Sequence, residues 1–172
     1  MTPRVSDKPL LNPFTVIVDS REQAPYTFHG LTADARYSHR PLTVPRAFSA
    51  LRSGDYSIAG AEHLVAIERK SLPDLYSTLG HGRERFEREH ERLAGLDFAA
   101  VVIEATWEEI LAAPPPRSAL LPKTVIRTAM AWSMRYGVHW WAIGGRRMTE
   151  VATFRLLEQW WRRWRKLESD TG

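Results

Sequence analysis

Short apolar runs punctuated by turn residues dominate the first half of the chain, and stripes with helical spacing dominate the second. Thr15 to Val18 is a mostly apolar run that stops at Asp19, the pattern of a buried strand. Residues 20–41, with Pro25, Gly30 and Pro41, read as loop, and residues 42–51 are weakly strand-like. Ser53-Gly54-Asp55 is a turn, residues 56–59 form a short strand, and Gly60 turns the chain into a second strand over 63–70. Helices are predicted over 71–79, where Ser71 and Asp74 have capping-box spacing and Gly80 ends the run, and over the charged segment 83–94. A strand over 97–104 and a helix over 107–112, stopped by Pro114-Pro115-Pro116, come next. A helix over 123–136 turns Val125, Ile126, Ala129, Met130 and Ser133 inward; a strand over 138–143 and a helix over 149–166 complete the pattern.

Strands first, then helices, then alternation is the order of an α/β fold with a mixed central sheet flanked by helices. At 172 residues one domain is expected, over 14–167, with a disordered tail over 1–13 and a short tail over 168–172. The absence of cysteine excludes disulfides and thiolate metal sites. The first thirteen residues hold Arg4, Asp7 and Lys8 and no apolar region of the signal-peptide kind, and no stretch is long enough to span a membrane. A cytoplasmic protein with no membrane partner is therefore expected. The net charge of +4, carried by twenty Arg and only four Lys, is compatible with a polyanionic partner, and so is the pI of about 9.7.

The scarcity of lysine draws the eye to Val65-Ala66-Ile67-Glu68-Arg69-Lys70. In a strand, alternate residues share a face, so Val65 and Ile67 point one way and Ala66, Glu68 and Lys70 the other. A carboxylate and an ammonium then stand about 7 Å apart along one edge of a sheet. Phosphodiester hydrolysis needs such parts: carboxylate oxygens for a hard cation, and a fixed positive charge for the phosphoryl group in the transition state. By itself the triplet also describes a solvated cross-strand pair. The other acidic residues change the balance. Asp19 ends an apolar strand, and Asp55 precedes Glu68 by thirteen residues, so a turn at Gly60 brings the two carboxylates together. Arg69, on the opposite face from Glu68 and Lys70, is expected to support the site by pairing with Asp19 or Glu22.

Together these elements resemble the XPF-type structure-specific endonucleases. The family pattern stands here as Val18-Asp19-Ser20-Arg21-Glu22, Gly54-Asp55, Glu68-Arg69-Lys70 with Asp74 four residues on, Gly82-Arg83, and the apolar strand ending at Glu104. The resemblance covers residues 14–164 and implies a restriction-endonuclease-like fold and Mg²⁺-dependent cleavage of DNA, with Mn²⁺ as a substitute. It implies metal binding by Asp19, Asp55 and Glu68, an outer position for Glu22 beside Arg21, and action of Lys70 on the attacking water or the phosphate. Branched, flap or nicked DNA in repair, recombination or phage DNA processing is the implied substrate. The segment after Glu22 reads as loop where the family usually has a helix. The chain also stops about where many members begin a tandem helix-hairpin-helix module, the pattern of a compact bacterial or phage-like version. Specificity is then expected from a partner protein or a second protomer. The alternatives are a non-catalytic DNA-binding or partner subunit, which loses the acidic residues or the lysine in this family, and a different nuclease on the same fold.

Asp74 reads as a helix cap as well as a site residue. Arg83 and Arg85 open a helix, where cations oppose the dipole and a bound phosphate would offset that cost, so both are candidate DNA contacts. Arg88 and the glutamates of that helix read as a solvated face. The six histidines show no ligand spacing; His81, next to Gly82-Arg83, is the one of interest. In the last helix Val151, Phe154, Leu157, Trp160, Trp161, Trp164 and Leu167 form a stripe that suits a core, a clamp on single-stranded nucleic acid, or a dimer contact. The family resemblance favours a homodimer through the C-terminal helices.

Overall fold

The computed structural model describes residues 8–33 and 39–170. Its centre is a six-stranded sheet in the order β4-β2-β5-β6-β7-β8, formed by β2 (Val16–Asp19), β4 (Arg46–Ser49), β5 (Tyr56–Ile58), β6 (Val65–Lys70), β7 (Phe98–Ile103) and β8 (His139–Ala142). β2 runs parallel to β4 and antiparallel to β5, β5 is antiparallel to β6, and β6, β7 and β8 are parallel. The sheet is therefore mixed, as the element order predicts. No helix among the described residues is long and apolar enough to cross a membrane.

Both faces of the sheet are covered, which explains why β2 and most of β6 are buried whichever way their side chains point. On one face α1 (Leu72–Gly80), α2 (Arg83–Leu93), α3 (Trp107–Ala112) and α4 (Pro122–Tyr136) pack Leu75, Leu79, Phe86, Ile110, Val125 and Trp132 over Ala66, Val101 and Ile103. On the other, α5 (Arg146–Asp170) packs Phe154, Leu157 and Trp160 over Val65, Ile67 and Val102. Alternation in β6 thus has the expected sense: its aliphatic residues face α5, while Ala66 faces the α1–α2 layer.

Several segments differ from the expectation. Pro45 splits residues 42–51 into β3 (Leu42–Thr43) and β4, and β3 pairs with β1 (Leu10–Leu11), so paired backbone begins within the segment expected as a tail. α5 likewise continues through residues 168–170. Residues 1–7 and 171–172 of the expected tails, and 34–38 of the expected loop, lie outside the described residues. In α4 the buried stripe is Val125, Thr128, Ala129 and Trp132, and Met130 faces outward, 63% exposed. The large Trp132 ring sets that rotation, because it packs among Phe86, His90 and Tyr136. His90 is a core histidine: it is fully buried, its Nδ1 lies 2.9 Å from the Phe86 carbonyl oxygen, and burial pulls its pKa down to about 4.

Candidate active site

The Gly60 turn does for Asp55 and Glu68 what the spacing predicts. Tyr56 pairs with Ile67 across β5 and β6, so Asp55 continues the hairpin beside Glu68. The Asp55 N–H donates to the Ile67 carbonyl at 2.8 Å, and the Arg69 N–H donates to Asp55 Oδ2 at 2.7 Å. The Lys70 ammonium lies 2.7 Å from Glu68 Oε1 and 4.8 Å from the centre of the Phe86 ring. These groups line a cleft of about 780 Å³, together with Asp19, Glu22, Asp74 and Arg85.

Burial governs the electrostatics of this cleft. It pushes the Asp55 carboxyl well above the usual carboxylate range, and the neighbouring Glu68 charge adds to the effect. Burial also raises Glu68, against the pull of Lys70. For Lys70 burial works against the ammonium, but Glu68 at its side outweighs it and holds its pKa above the ordinary lysine value. Two carboxylates side by side in low dielectric repel, and a bound cation relieves that repulsion. Among the described residues Asp55 Oδ1 and Glu68 Oε2 accept no hydrogen bond, so each carboxylate keeps one unused oxygen. An oxygen-only pair of this kind fits a hard divalent cation. No group of three or more acidic or histidine side chains among the described residues is arranged to enclose a metal ion.

Asp19 is the reason the acidic set is a pair. It lines the same cleft, but Oδ1 accepts from the Arg21 N–H and Nε, and Oδ2 accepts from Arg21 Nη2 and the Leu51 N–H, all within 2.8 Å. Those hydrogen bonds, Arg21's first, hold its carboxyl below the usual range against the effect of burial. Arg21 reaches back over two residues and is 72% exposed. Arg69 pairs elsewhere than with Asp19. Its Nε and Nη2 donate to the two oxygens of Glu104 at 2.8 and 3.0 Å, and Glu22 stands at 3.4 Å from Nη1. Glu104 also accepts from Tyr26 at 2.8 Å and pairs with Arg146 at 3.3 Å. Glu104 ends the β7 motif, yet as a pairing partner for Arg69 it escapes sequence reading because 35 residues separate them.

Ser71 caps α1: its Oγ accepts from the Asp74 N–H at 3.3 Å and its hydroxyl donates to Asp74 Oδ2 at 2.6 Å, so Asp74 completes the cap through the Ser71 side chain and not through the Ser71 backbone N–H as in a full capping box. Arg85 lines the cleft and has no ion-pair partner among the described residues. Arg83 turns away, donating to Thr128 Oγ1 at 3.0 Å with its guanidinium 5.0 Å above the Trp132 ring. Cation–π attraction to Trp132 accounts for that direction, and Arg83 lies outside the cleft lining. His81 caps the C-terminus of α1 and lies outside the cleft lining. Phe86, Glu89 and Arg92 line the cleft without having been singled out in the sequence. Their spacing with Arg85 (85, 86, 89, 92) marks one face of a helix and is the signal that could have found them. Glu89 Oε1 accepts from the Gly54 N–H across the cleft at 3.0 Å.

The family model described as the ERCC4 domain matches residues 18–150. No curated protein matches the chain. Among solved structures it is similar to XPF from Aeropyrum pernix, with 17% identity and a TM-score of 0.61, over 90% of this chain and 69% of that one. It is also similar to XPF from Aeropyrum pernix in complex with DNA, with 19% identity and a TM-score of 0.59. That match covers 85% of this chain and 64% of the other, so the chain spans less than two thirds of that structure's length. The mixed sheet with its flanking helices is the fold these structures share.

Proposed function

Because the chain belongs to the ERCC4 domain family, the family of the XPF-type nucleases its motifs resemble, we propose that it is a divalent-cation-dependent endonuclease that hydrolyses DNA phosphodiester bonds. The observation that carries this reading is the juxtaposition of Asp55, Glu68 and Lys70 in one cleft, with an unused oxygen on each carboxylate and the ammonium 2.7 Å from Glu68. Asp55 and Glu68 are the oxygen donors we assign to the cation, and Asp19 would join them on release of Arg21. When bound, Mg²⁺ or Mn²⁺ supplies Lewis-acid polarisation of the phosphoryl oxygen and a lowered pKa for the attacking water. Lys70 presents fixed positive charge to the phosphoryl oxygens as negative charge gathers there. Water oxygen bonds to phosphorus, the bridging P–O bond breaks, and a phosphate monoester and a hydroxyl result. Arg85, unpaired at the cleft, is suited to a neighbouring phosphate, while Arg69 and Glu22 act behind Asp55 through the Arg69 backbone.

The reading is tested by incubating the protein with equal-length flap, nicked, gapped and intact duplexes, with Mg²⁺, with Mn²⁺ or in excess EDTA. Cleavage stops in EDTA. Independently of activity, Mg²⁺ raises the thermal unfolding midpoint of the wild type, by the equivalent of about 2.7 kcal/mol when the free ion exceeds Kd about a hundredfold. Asp55→Asn removes most of that stabilisation. Cation-independent cleavage would overturn the mechanism, and cation binding with no cleavage of any substrate would favour a non-catalytic DNA-binding or partner subunit. Branched, flap or nicked DNA is the substrate class we infer, with sharper specificity supplied by a partner protein or a second protomer.

A homodimer through α4 and α5 is part of the same proposal, with its anchors relocated. Trp160 and Trp164 stack on each other at 5.6 Å, and Trp161 lies 5.5 Å from Phe14, all packed against the chain's own core. On α4 and the neighbouring edge strand, Met130, Met134 at 88% and Trp141 at 45% exposure are exposed apolar residues, and α5 exposes Met148 and Leu167. Met134→Glu is expected to give monomers in sedimentation velocity at a concentration where the wild type is dimeric. A wild-type monomer at micromolar concentration would refute the dimer.

A further inference from the structure

We propose that Glu89 is a positioning residue of this site, acting through the Gly54 amide to fix Asp55; the inference rests on the nuclease reading above. Gly54 has φ of +74°, and a Cβ built on it would stand 3.0 Å from the Ala66 Cβ and 3.1 Å from the Ile67 carbonyl oxygen. The turn is thus pressed onto β6 at a point where no side chain fits, in a conformation that favours glycine. The next residue, Asp55, is tied by its own backbone on both sides. Its N–H donates to Ile67, and its carbonyl accepts from the Asp19 N–H at 2.8 Å. The Gly54 N–H just before it is held from another element, α2, which supplies its acceptor in Glu89.

The second Glu89 oxygen pairs with Arg92 one turn further along α2, which keeps the carboxylate aimed across the cleft. The bond from the Gly54 N–H to Glu89 satisfies a buried donor that would be costly to leave without an acceptor. It holds the Gly54–Asp55 turn to the helix that also carries Arg85 and the Phe86 ring under Lys70. Glu89 therefore sets how far Asp55 stands from Glu68, and it does so as a hydrogen-bond acceptor.

That distinction makes the proposal testable with Glu89→Gln, which keeps an acceptor oxygen, and Glu89→Ala, which does not. Four quantities are measured on the full chain. They are hydrogen exchange of the Gly54 amide by NMR, Mn²⁺ affinity by calorimetry without DNA, and kcat and KM for cleavage of a nicked duplex. In Glu89→Ala the amide exchanges faster, and Mn²⁺ affinity and kcat fall about 10- to 100-fold, with KM nearly unchanged. Glu89→Gln brings each quantity back to within about threefold of wild type. Gln as impaired as Ala would show that the charge itself acts, and an unchanged Gly54 amide in Glu89→Ala would show that the tie does not exist; either overturns the proposal. Should the wild type cleave no DNA, the nuclease reading fails while the amide exchange and Mn²⁺ affinity still decide the role of Glu89. Thermal unfolding of both variants verifies that each measurement reports a folded protein.

Discussion

Lys70→Ala and Asp55→Asn each lower turnover by about 100- to 1000-fold, the range found when one preorganised electrostatic partner of a transition state is removed. Lys70 faces the cleft from the same side of β6 as Glu68 and lies 2.7 Å from it, whereas Arg69 is engaged chiefly by Glu104, and Arg21 and Arg92 by Asp19 and Glu89. Asp55 supplies half of the proposed oxygen donors, and Asn removes its charge while keeping its shape. DNA affinity falls much less in both variants, because phosphate contacts are spread over many arginines and are individually weak at physiological salt. The measurement is single-turnover cleavage beside equilibrium binding of the same duplex, performed in Ca²⁺ or without metal for binding. Parallel losses in binding and cleavage would make these residues structural and would remove the argument for their chemistry.

Glu104→Ala destabilises the fold by about 3 kcal/mol, the lower end for breaking one side of a buried ion pair. Arg69 and Glu104 are only 11% and 10% exposed as side chains, and the bond between them is bidentate. Removing Glu104 leaves the Arg69 guanidinium with Glu22 alone at 3.4 Å and deprives the Tyr26 hydroxyl of its acceptor. The residual Glu22 contact is why the lower end of the range is expected. For a domain of this size the thermal midpoint drops by roughly 6–12 °C. Glu104→Gln, which retains acceptor oxygen for Tyr26, loses less. A shift below about 1 kcal/mol for Glu104→Ala, measured by urea unfolding, would mean that water takes over the role of the carboxylate.

What the sequence made legible is what depends on neighbours in the chain. The face shared by Glu68 and Lys70 follows from strand alternation, the meeting of Asp55 with Glu68 from a short turn, and the Ser71–Asp74 cap from helix-start chemistry. What it left unread depends on partners brought in from afar. Arg69 was expected on Asp19 or Glu22 and is held chiefly by Glu104, because β7 lies beside β6 in parallel register. Arg83, a candidate DNA contact from its place at the start of α2, lies on Trp132, a contact set by the docking of α2 against α4. Within α2 the buried residues are Phe86, His90 and Leu93 and most others are charged, so Glu89 at the cleft reads like the glutamates of the solvated face unless its spacing with Arg85, Phe86 and Arg92 is followed. Met130, expected inward, faces outward and Trp132 is buried because ring packing, which a periodicity does not contain, decided the rotation of α4.

The alternation within β6 also bears on how the length of this chain can vary. The strand carries unlike charges on its two faces, Glu68 and Lys70 toward the cleft and Arg69 toward Glu104. One residue inserted or deleted inside it would exchange the faces, aiming Glu68 and Lys70 at the layer that holds Phe154 and Leu157 and presenting Arg69 to the cleft. Substitution there alters one group, whereas a change of length inverts the whole site. In the turn between β5 and β6 Gly60 has open space around it, while Ala61 beside it is buried in the core. A change of length at Gly60, outside both strands, is therefore expected to leave the faces of β6 as they are.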